Sequence, residues 1–535
     1  MHRRAVLRNG LALGGTAVAS AVLSGPASAA TGIAATALAA SPAPSPYGSL
    51  EGRTPDGNGL VLPDGFSSRI VAAGGAGVGA TDYTWPLFPD GKGTFATPDG
   101  GWILACNHEV FDYQTVGKSV GGASSIRFDS RGSILDAYPI LEGSHSNSRG
   151  ATTPWSTWLS CQEAHQGDGR VWECDPTGEG PAVPRNALGV WTHGSVAVDA
   201  VGGHCYLTEA HRDGRLYRLT MLDGSAAGVA LADGPLEAMV VDPDGGVSWI
   251  PVPDPSGSVA PTRVQAADGF VTPVGGGAWV RDGSLLFTTA LDDRVHAVDL
   301  ANQRHSVLWD GSGHRQPLVG IGDLTVAPVS GDLFVAEDRG DMELVLIGTE
   351  GLVAPFCRMV GDDHRLSAIT GPCFDPSGTR LFVSSLRGRG EALVRDVVED
   401  IDWGDGVEGR HVGVTYEVSG PFRSGPRIDP ASGSTMTVPL STTTAAPGGT
   451  GTTSVPVPEE AADAMSTTVA PATTLQRASD QPAQPAQPAG VDGGMGGATL
   501  GLGAVAILAL GAGVVALRRR SSDGSGDIDP VGPID

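Results

Sequence analysis

The chain has 535 residues, with 34 Lys and Arg against 59 Asp and Glu, for a formal charge of −25. A surface that acidic argues against nucleic acid as a partner, because phosphate binding needs a basic face. Glycine is plentiful (79) while charged residues make up only 17%, a composition of many turns and few helices.

The first element is an export signal over residues 1–30. Arg3 and Arg4 precede an apolar run over 11–23 and the small residues Ala27, Ser28 and Ala29, the pattern of a twin-arginine signal. An ordinary signal peptide is the alternative. Residues 50–423 then read as an all-β domain. Strand pairs are joined by tight-turn sequences: TPDGG at 97–101, DPDGG at 242–246, RDGS at 281–284, VSGD at 329–332 and DPSGT at 375–379. A longer frame of strand, turn, strand and closing strand begins at Gly194 and recurs at Gly275 and Gly322. The step is 46 residues from Glu163 to Glu209 and 48 from Leu333 to Leu381. A period in the forties with about four strands per unit predicts a β-propeller, of six blades by the strand count. A β-sandwich would leave the repeat unexplained.

Residues 424–494 are rich in Thr, Pro, Ala and Ser and include QPAQPAQPAG at 481–490. Such a segment cannot bury a core, and it is predicted to be a disordered stalk. Residues 495–517 are an uncharged apolar stretch of spanning length, followed by Arg518, Arg519 and Arg520. The arginines predict a short cytoplasmic tail over 518–535, a transmembrane helix before it, and a propeller outside the cell, anchored to its membrane.

Four apolar strands run into carboxylates: WILACNHE (102–109), WLSCQE (158–163), CYLTE (205–209) and LFVAED (333–338). A carboxylate in that setting is costly unless paired, hydrogen-bonded or bound to a metal. Glu109, Glu163, Glu209, Glu337 and Asp338 are therefore expected to converge as oxygen ligands of a hard cation such as calcium. Edge carboxylates that merely accept turn hydrogen bonds are the alternative. His108, His193 and Gln162 flank these strands and are candidates for substrate contact or support of the ligands. No GxSxG motif, phosphate-cradling loop or Cys/His zinc spacing is present, so any chemistry is expected to come from metal. Of the six cysteines, Cys161 and Cys174 fall on neighbouring predicted strands, where a bridge can form; Cys357 and Cys373 read as apolar filler.

At 62–91 (LPDGFSSRIVAAGGAGVGATDYTWPLFPDG), 153–163 (TPWSTWLSCQE), 331–347 (GDLFVAEDRGDMELVLI) and 369–388 (ITGPCFDPSGTRLFVSSLRG), among other stretches, the chain resembles the PhoX-type alkaline phosphatases. The resemblance runs in order over residues 50–423. It implies a twin-arginine-exported six-bladed propeller that hydrolyses phosphate monoesters with a calcium and iron cluster at one mouth. It also implies ligand roles for Glu109, Glu163, Glu209, Glu337 and Asp338. At further ligand positions of the family this chain carries Thr81, Gly194, Ala210, Gly276 and Ala368, and Gln162 replaces a Glu. Two functions follow: a membrane-anchored surface phosphatase with an altered metal set, or a catalytically degenerate propeller that serves as a cell-envelope binding module and holds calcium.

Overall fold

The computed structural model describes residues 39–110, 121–164, 169–222, 230–313, 316–338, 340–361, 364, 367–388 and 412–423. The export signal, stalk, apolar span and tail expected from the sequence lie outside these residues. No helix among the described residues is long and apolar enough to cross a membrane.

Six separate sheets, mostly antiparallel, make six blades. Blade 1 comprises Pro89–Ala96, Trp102–His108, Gly122–Phe128 and Ile134–Leu141. Blade 2 comprises Asn147–Thr152, Trp158–Gln162, Val171–Cys174 and Val183–Pro184. Blade 3 runs from His193–Asp199 through His204–Glu209, Leu216–Thr220 and Leu236–Val241 to Val247–Pro251. Blade 4 comprises Gly275–Arg281, Ser284–Thr289, Arg294–Asp299 and Arg304–Asp310. Blade 5 comprises Ile321–Val326, Leu333–Glu337, Glu343–Ile347 and Leu352–Met359, with Ser41–Pro42 and Leu60–Val61 paired to its outer strand. Blade 6 takes Ile369–Phe374, Arg380–Ser385 and Val414–Ser419 from the end of the domain and Ser67–Ala73 from its beginning. This shared sheet closes the ring, because the outermost strand of blade 6 comes from the start of the domain and the other three come from its end. Helix among the described residues is limited to single turns at Asn186–Leu188 and Thr262–Gln265.

The turn sequences sit where the motifs place them. Gly100, Gly245, Gly283, Gly331 and Gly378 all adopt φ between 71° and 87°, the left-handed conformation that a side chain disfavours. The second strand of every blade is apolar through its middle and buried along nearly its whole length, because both faces are covered by neighbouring blades. Thus Leu104, Leu159, Leu207, Phe287, Phe334 and Phe382 are fully buried. Blade 6 is tied shut by charge as well. Glu417, with 2% of its side chain exposed, accepts from Arg69 of the N-terminal strand (2.5 Å) and from Arg380 (2.6 Å).

All six cysteines are buried and free. Cys161 lies opposite Val171 and Cys174 opposite Trp158, so the strands that carry them are paired but the two sulfurs face different partners. The bridge the sequence allows does not form.

A candidate axial site at the mouth of the propeller

The six blades repeat one local geometry. The first residue of each innermost strand pairs with the last residue of the second strand: Pro89 with His108, Asn147 with Gln162, His193 with Glu209, Gly275 with Thr289, Ile321 with Glu337 and Ile369 with Ser385. The next residue along donates its backbone N–H to the residue just before the innermost strand. Glu109 bonds Phe88 (2.9 Å), Glu163 bonds Ser146 (2.7 Å), Ala210 bonds Thr192 (2.9 Å), Ala290 bonds Val274 (2.8 Å), Asp338 bonds Gly320 (2.6 Å) and Leu386 bonds Ala368 (2.9 Å). A bulge then interrupts all six innermost strands. Bulges at a rim re-aim side chains.

This repeat defines two positions with opposite fates, because successive strand residues point to opposite faces. The last strand residue turns into its own blade. His108 Nε2 meets Ser124 Oγ at 3.1 Å, and Trp172 Nε1 donates to Gln162 at 3.4 Å. Glu209 accepts from the Tyr217 hydroxyl (2.8 Å) and Arg263 (2.9 Å). Thr289 meets His296 at 3.0 Å, and Ser385 meets His364 at 3.0 Å. Glu337 accepts three backbone N–H groups, from Val319 (3.1 Å), Asp341 (3.1 Å) and Glu343 (3.0 Å). Burial pushes Glu337 up to about 8 despite those donors and also raises Glu209.

The following position serves the mouth. Glu109, Glu163 and Asp338 lie there, and their charges act on a shared neighbour, Arg149 of blade 2. Arg149 is 13% exposed; its Nη1 stands 3.6 Å from Glu163 and its Nε 3.9 Å from Asp323. Asp90 of blade 1 and Asp323 of blade 5, both on innermost strands, complete the group. Burial works against the Arg149 charge, but Asp323, Asp90, Glu163 and Asp338 together outweigh it and hold the guanidinium above its ordinary range. Burial lifts Asp90 to about 6 and Glu163 to about 7, with Arg149 pulling both down. Burial also raises Glu109 well above the usual carboxylate range, helped by Asp90 and Glu163, and raises Asp323 against Arg149. Lys92 is buried beneath, its Nζ donating to the carbonyls of Asp90 (2.6 Å) and Thr370 (3.3 Å). Arg387 acts on Glu109 from blade 6.

The five acids singled out from the sequence therefore divide. Glu163 pairs with Arg149 and the charges of Glu109 and Asp338 also act on it, whereas Glu209 and Glu337 are each held inside their own blade. His108 and His193 are fully buried; His193 stacks on Trp191 with ring centroids 4.3 Å apart. Asp90, Arg149 and Asp323 escape a reading based on strand ends. Their signal lies in the other strand: a charged residue two or three places into the innermost strand of three blades.

These residues do not fit a calcium or iron centre. A hard cation needs six to eight oxygens at about 2.3–2.6 Å. Among the described residues no three His, Cys, Asp or Glu side chains come together in a way that could hold a metal, and a guanidinium stands among the carboxylates. Positions where the resemblance implies further ligands are packed shut. A Cβ on Gly194 would lie 2.1 Å from the Gly275 carbonyl oxygen, and one on Gly276 would lie 2.4 Å from that of Gly322. Ala368 is buried in an apolar cluster with Leu87, Phe88, Val110, Leu386 and Val412. Thr81 is in a turn, its hydroxyl bonded to the Val78 carbonyl at 2.7 Å.

Comparison with known proteins agrees with the fold. The Pseudomonas fluorescens PhoX structure, in complex with vanadate, a transition state analogue, matches with a TM-score of 0.54 at 14% identity. That match covers 68% of this chain and 96% of the other. A gluconolactonase from Xanthomonas campestris (11% identity, TM-score 0.36, 67% and 91% covered) and the calcium-binding protein regucalcin from Agrobacterium tumefaciens (16%, 0.31, 68% and 97%) match more loosely. No curated protein matches. The family described as Alkaline phosphatase PhoX matches residues 123–297, from the third strand-forming segment of blade 1 into blade 4. Over residues 123–297, and in its six-bladed fold, the chain is similar to the PhoX-type alkaline phosphatases.

Proposed function

We propose that this protein is a membrane-anchored, extracytoplasmic propeller of the phosphatase family that works as a binding module and turns over phosphate monoesters far more slowly than metal-loaded family members, or not at all. The observation that carries this reading is the closed packing at Gly194 and Gly276. Each presses on the backbone of the next blade, so neither position has room for a ligand side chain. A site short of several ligands loses the metal and with it the activated oxygen nucleophile. Loss of even one group that stabilises developing charge commonly costs about a hundredfold in rate. Phosphate esters remain the ligand class that the similarity over residues 123–297 supports.

The test is a 4-nitrophenyl phosphate assay on the purified full-length chain, with calcium and iron supplied and with both chelated. Negligible turnover in each condition supports the reading. Robust, metal-stimulated hydrolysis would replace it with the enzyme reading. Placement rests on the export signal and on the apolar stretch 495–517 ahead of Arg518, Arg519 and Arg520. Protease applied to intact cells is expected to remove the propeller; protection until lysis would refute that topology.

A further inference from the structure

We infer that Arg149 is a tethered cation standing where a metal would otherwise be needed, so that the mouth is neutralised by the chain itself. This deepens the functional reading above and rests on the same site. Glu163 and Asp323 flank Arg149 at 3.6 and 3.9 Å, and Asp90, Glu109 and Asp338 add their charges to the same region, though no three of these carboxylates stand close enough to share an ion as they are placed. Those of them that are ionised require a compensating cation, from a bound ion or from a side chain. Three side chains are available, and they differ. Lys92 is committed to two main-chain carbonyls across the seam between blades 1 and 6. Arg387 bears on Glu109. Arg149 is the cation on which Asp323, Asp90, Glu163 and Asp338 all act.

Its position is also fixed by the fold. A Cβ on Gly91 would come within 2.6 Å of the Arg149 Cα, so blades 1 and 2 clasp the arginine's backbone. Asn107 donates to the carbonyls on both sides of that peptide, at 2.7 Å from Ser148 and 3.0 Å from Arg149. The head group, by contrast, is loosely held. Its carboxylate distances are 3.6 and 3.9 Å, and its buried Nε has no hydrogen-bond partner. Asp90, 2% exposed, likewise leaves Oδ1 without a partner. Arg149 thus compensates as a charge among carboxylates rather than as a bidentate clamp. Removing the guanidinium while keeping the oxygens leaves carboxylates that must take up protons or draw together around a divalent cation, a closure that their present spacing does not provide.

The experiment compares wild type, Arg149→Ala and Arg149→Lys as purified full-length chains. Melting temperatures are read in EGTA and in about 1 mM calcium, enough to fill even a weak extracellular-type site, and calcium binding is followed by titration calorimetry. Wild type and Arg149→Lys are expected to melt at the same temperature with and without calcium. Arg149→Ala is expected to melt lower in EGTA, to recover in calcium, and to bind the ion about tenfold or more tightly than wild type. A wild-type chain that EGTA destabilises and calcium restores would overturn the inference, as would an Arg149→Ala chain indifferent to calcium. Should Arg149→Ala fail to accumulate, the wild-type comparison decides alone: insensitivity to EGTA supports the tethered cation and sensitivity refutes it. None of these measurements reads ester turnover. Metal-independent hydrolysis by an EGTA-insensitive protein would refute the functional proposal and leave this one standing.

Discussion

Gly276→Ala is the smallest change that tests whether the blades are closed by backbone contact. The added Cβ would stand 2.4 Å from the Gly322 carbonyl oxygen and 2.5 Å from Thr288 Oγ1. Those two atoms are bonded to one another at 2.7 Å, across the seam between blades 4 and 5. The methyl group cannot enter without parting them. Leaving buried hydrogen-bonding groups unsatisfied costs about 1–3 kcal/mol. Forcing extra volume into a packed seam adds about 1–3 kcal/mol. A loss of about 2–6 kcal/mol is expected, a large part of the 5–15 kcal/mol typical of a folded domain. Urea unfolding of wild type and variant reads it. Gly57→Ala, at a site with nothing within 4 Å, should stay within about 0.5 kcal/mol of wild type. Thr288→Ala combined with Gly276→Ala should cost less than the two separate costs added, because the singles damage the same bond. A Gly276→Ala chain as stable as the Gly57→Ala control would refute the argument. On the same geometry Gly276→Glu is expected to unfold the ring rather than gain a ligand.

Glu417→Ala should cost about 1–3 kcal/mol, less than a fully buried pair because Arg69 and Arg380 are partly exposed; unfolding no easier than wild type would refute the role of this carboxylate in closing blade 6. All six thiols should stay silent to Ellman's reagent in the native chain and react in urea, and fewer than six in urea would reveal a disulfide. The pH dependence of stability has two opposed sources. Burial holds His108, His193 and His296 near 3 and His305 near 4, below the ordinary 6.5, so the unfolded chain binds more protons and stability is lost as pH falls below 6.5. Asp90, Glu163 and Glu337, raised by burial to about 6, 7 and 8, keep protons that the unfolded chain has released, so their contribution is lost as pH rises through those values. The two largely offset between about pH 5 and 6.5, and the melting temperature should decline from pH 6.5 to 8. A melting temperature that climbs over that upper interval would contradict the assignment.

The ring of blades was legible because its causes are local and repeated. Turns such as TPDGG and DPSGT need a glycine at one left-handed position, and apolar second strands need cover on both faces. Both leave residue types in the chain at a recurring spacing. Ring closure was not legible, since nothing in SSRIVAA at Ser67–Ala73 says that its partner lies at Val414–Ser419. Pairing of that range is settled by topology, and the salt bridge to Glu417 becomes visible only once the strands adjoin.

The carboxylates show a subtler limit. Glu209 and Asp338 both end an apolar strand, and the sequence treats them alike. One residue of register separates their fates, because the pleat sends neighbours to opposite faces. Glu209, paired with His193, turns inward to Tyr217 and Arg263. Asp338, one place beyond the pair of Ile321 with Glu337, reaches the group around Arg149. Counting acids at strand ends cannot separate the two without the bulge that follows the first residue of each innermost strand. The arginine was hidden for a different reason. Asn147-Ser148-Arg149-Gly150 reads as a polar turn, and only the fold puts its third residue beside acids that stand 14 and 174 places further along, Glu163 and Asp323. A family resemblance transfers positions and says nothing of a cation arriving from a neighbouring strand. Beside the closed positions at Gly194 and Gly276, that cation is a second difference between this mouth and a metal centre.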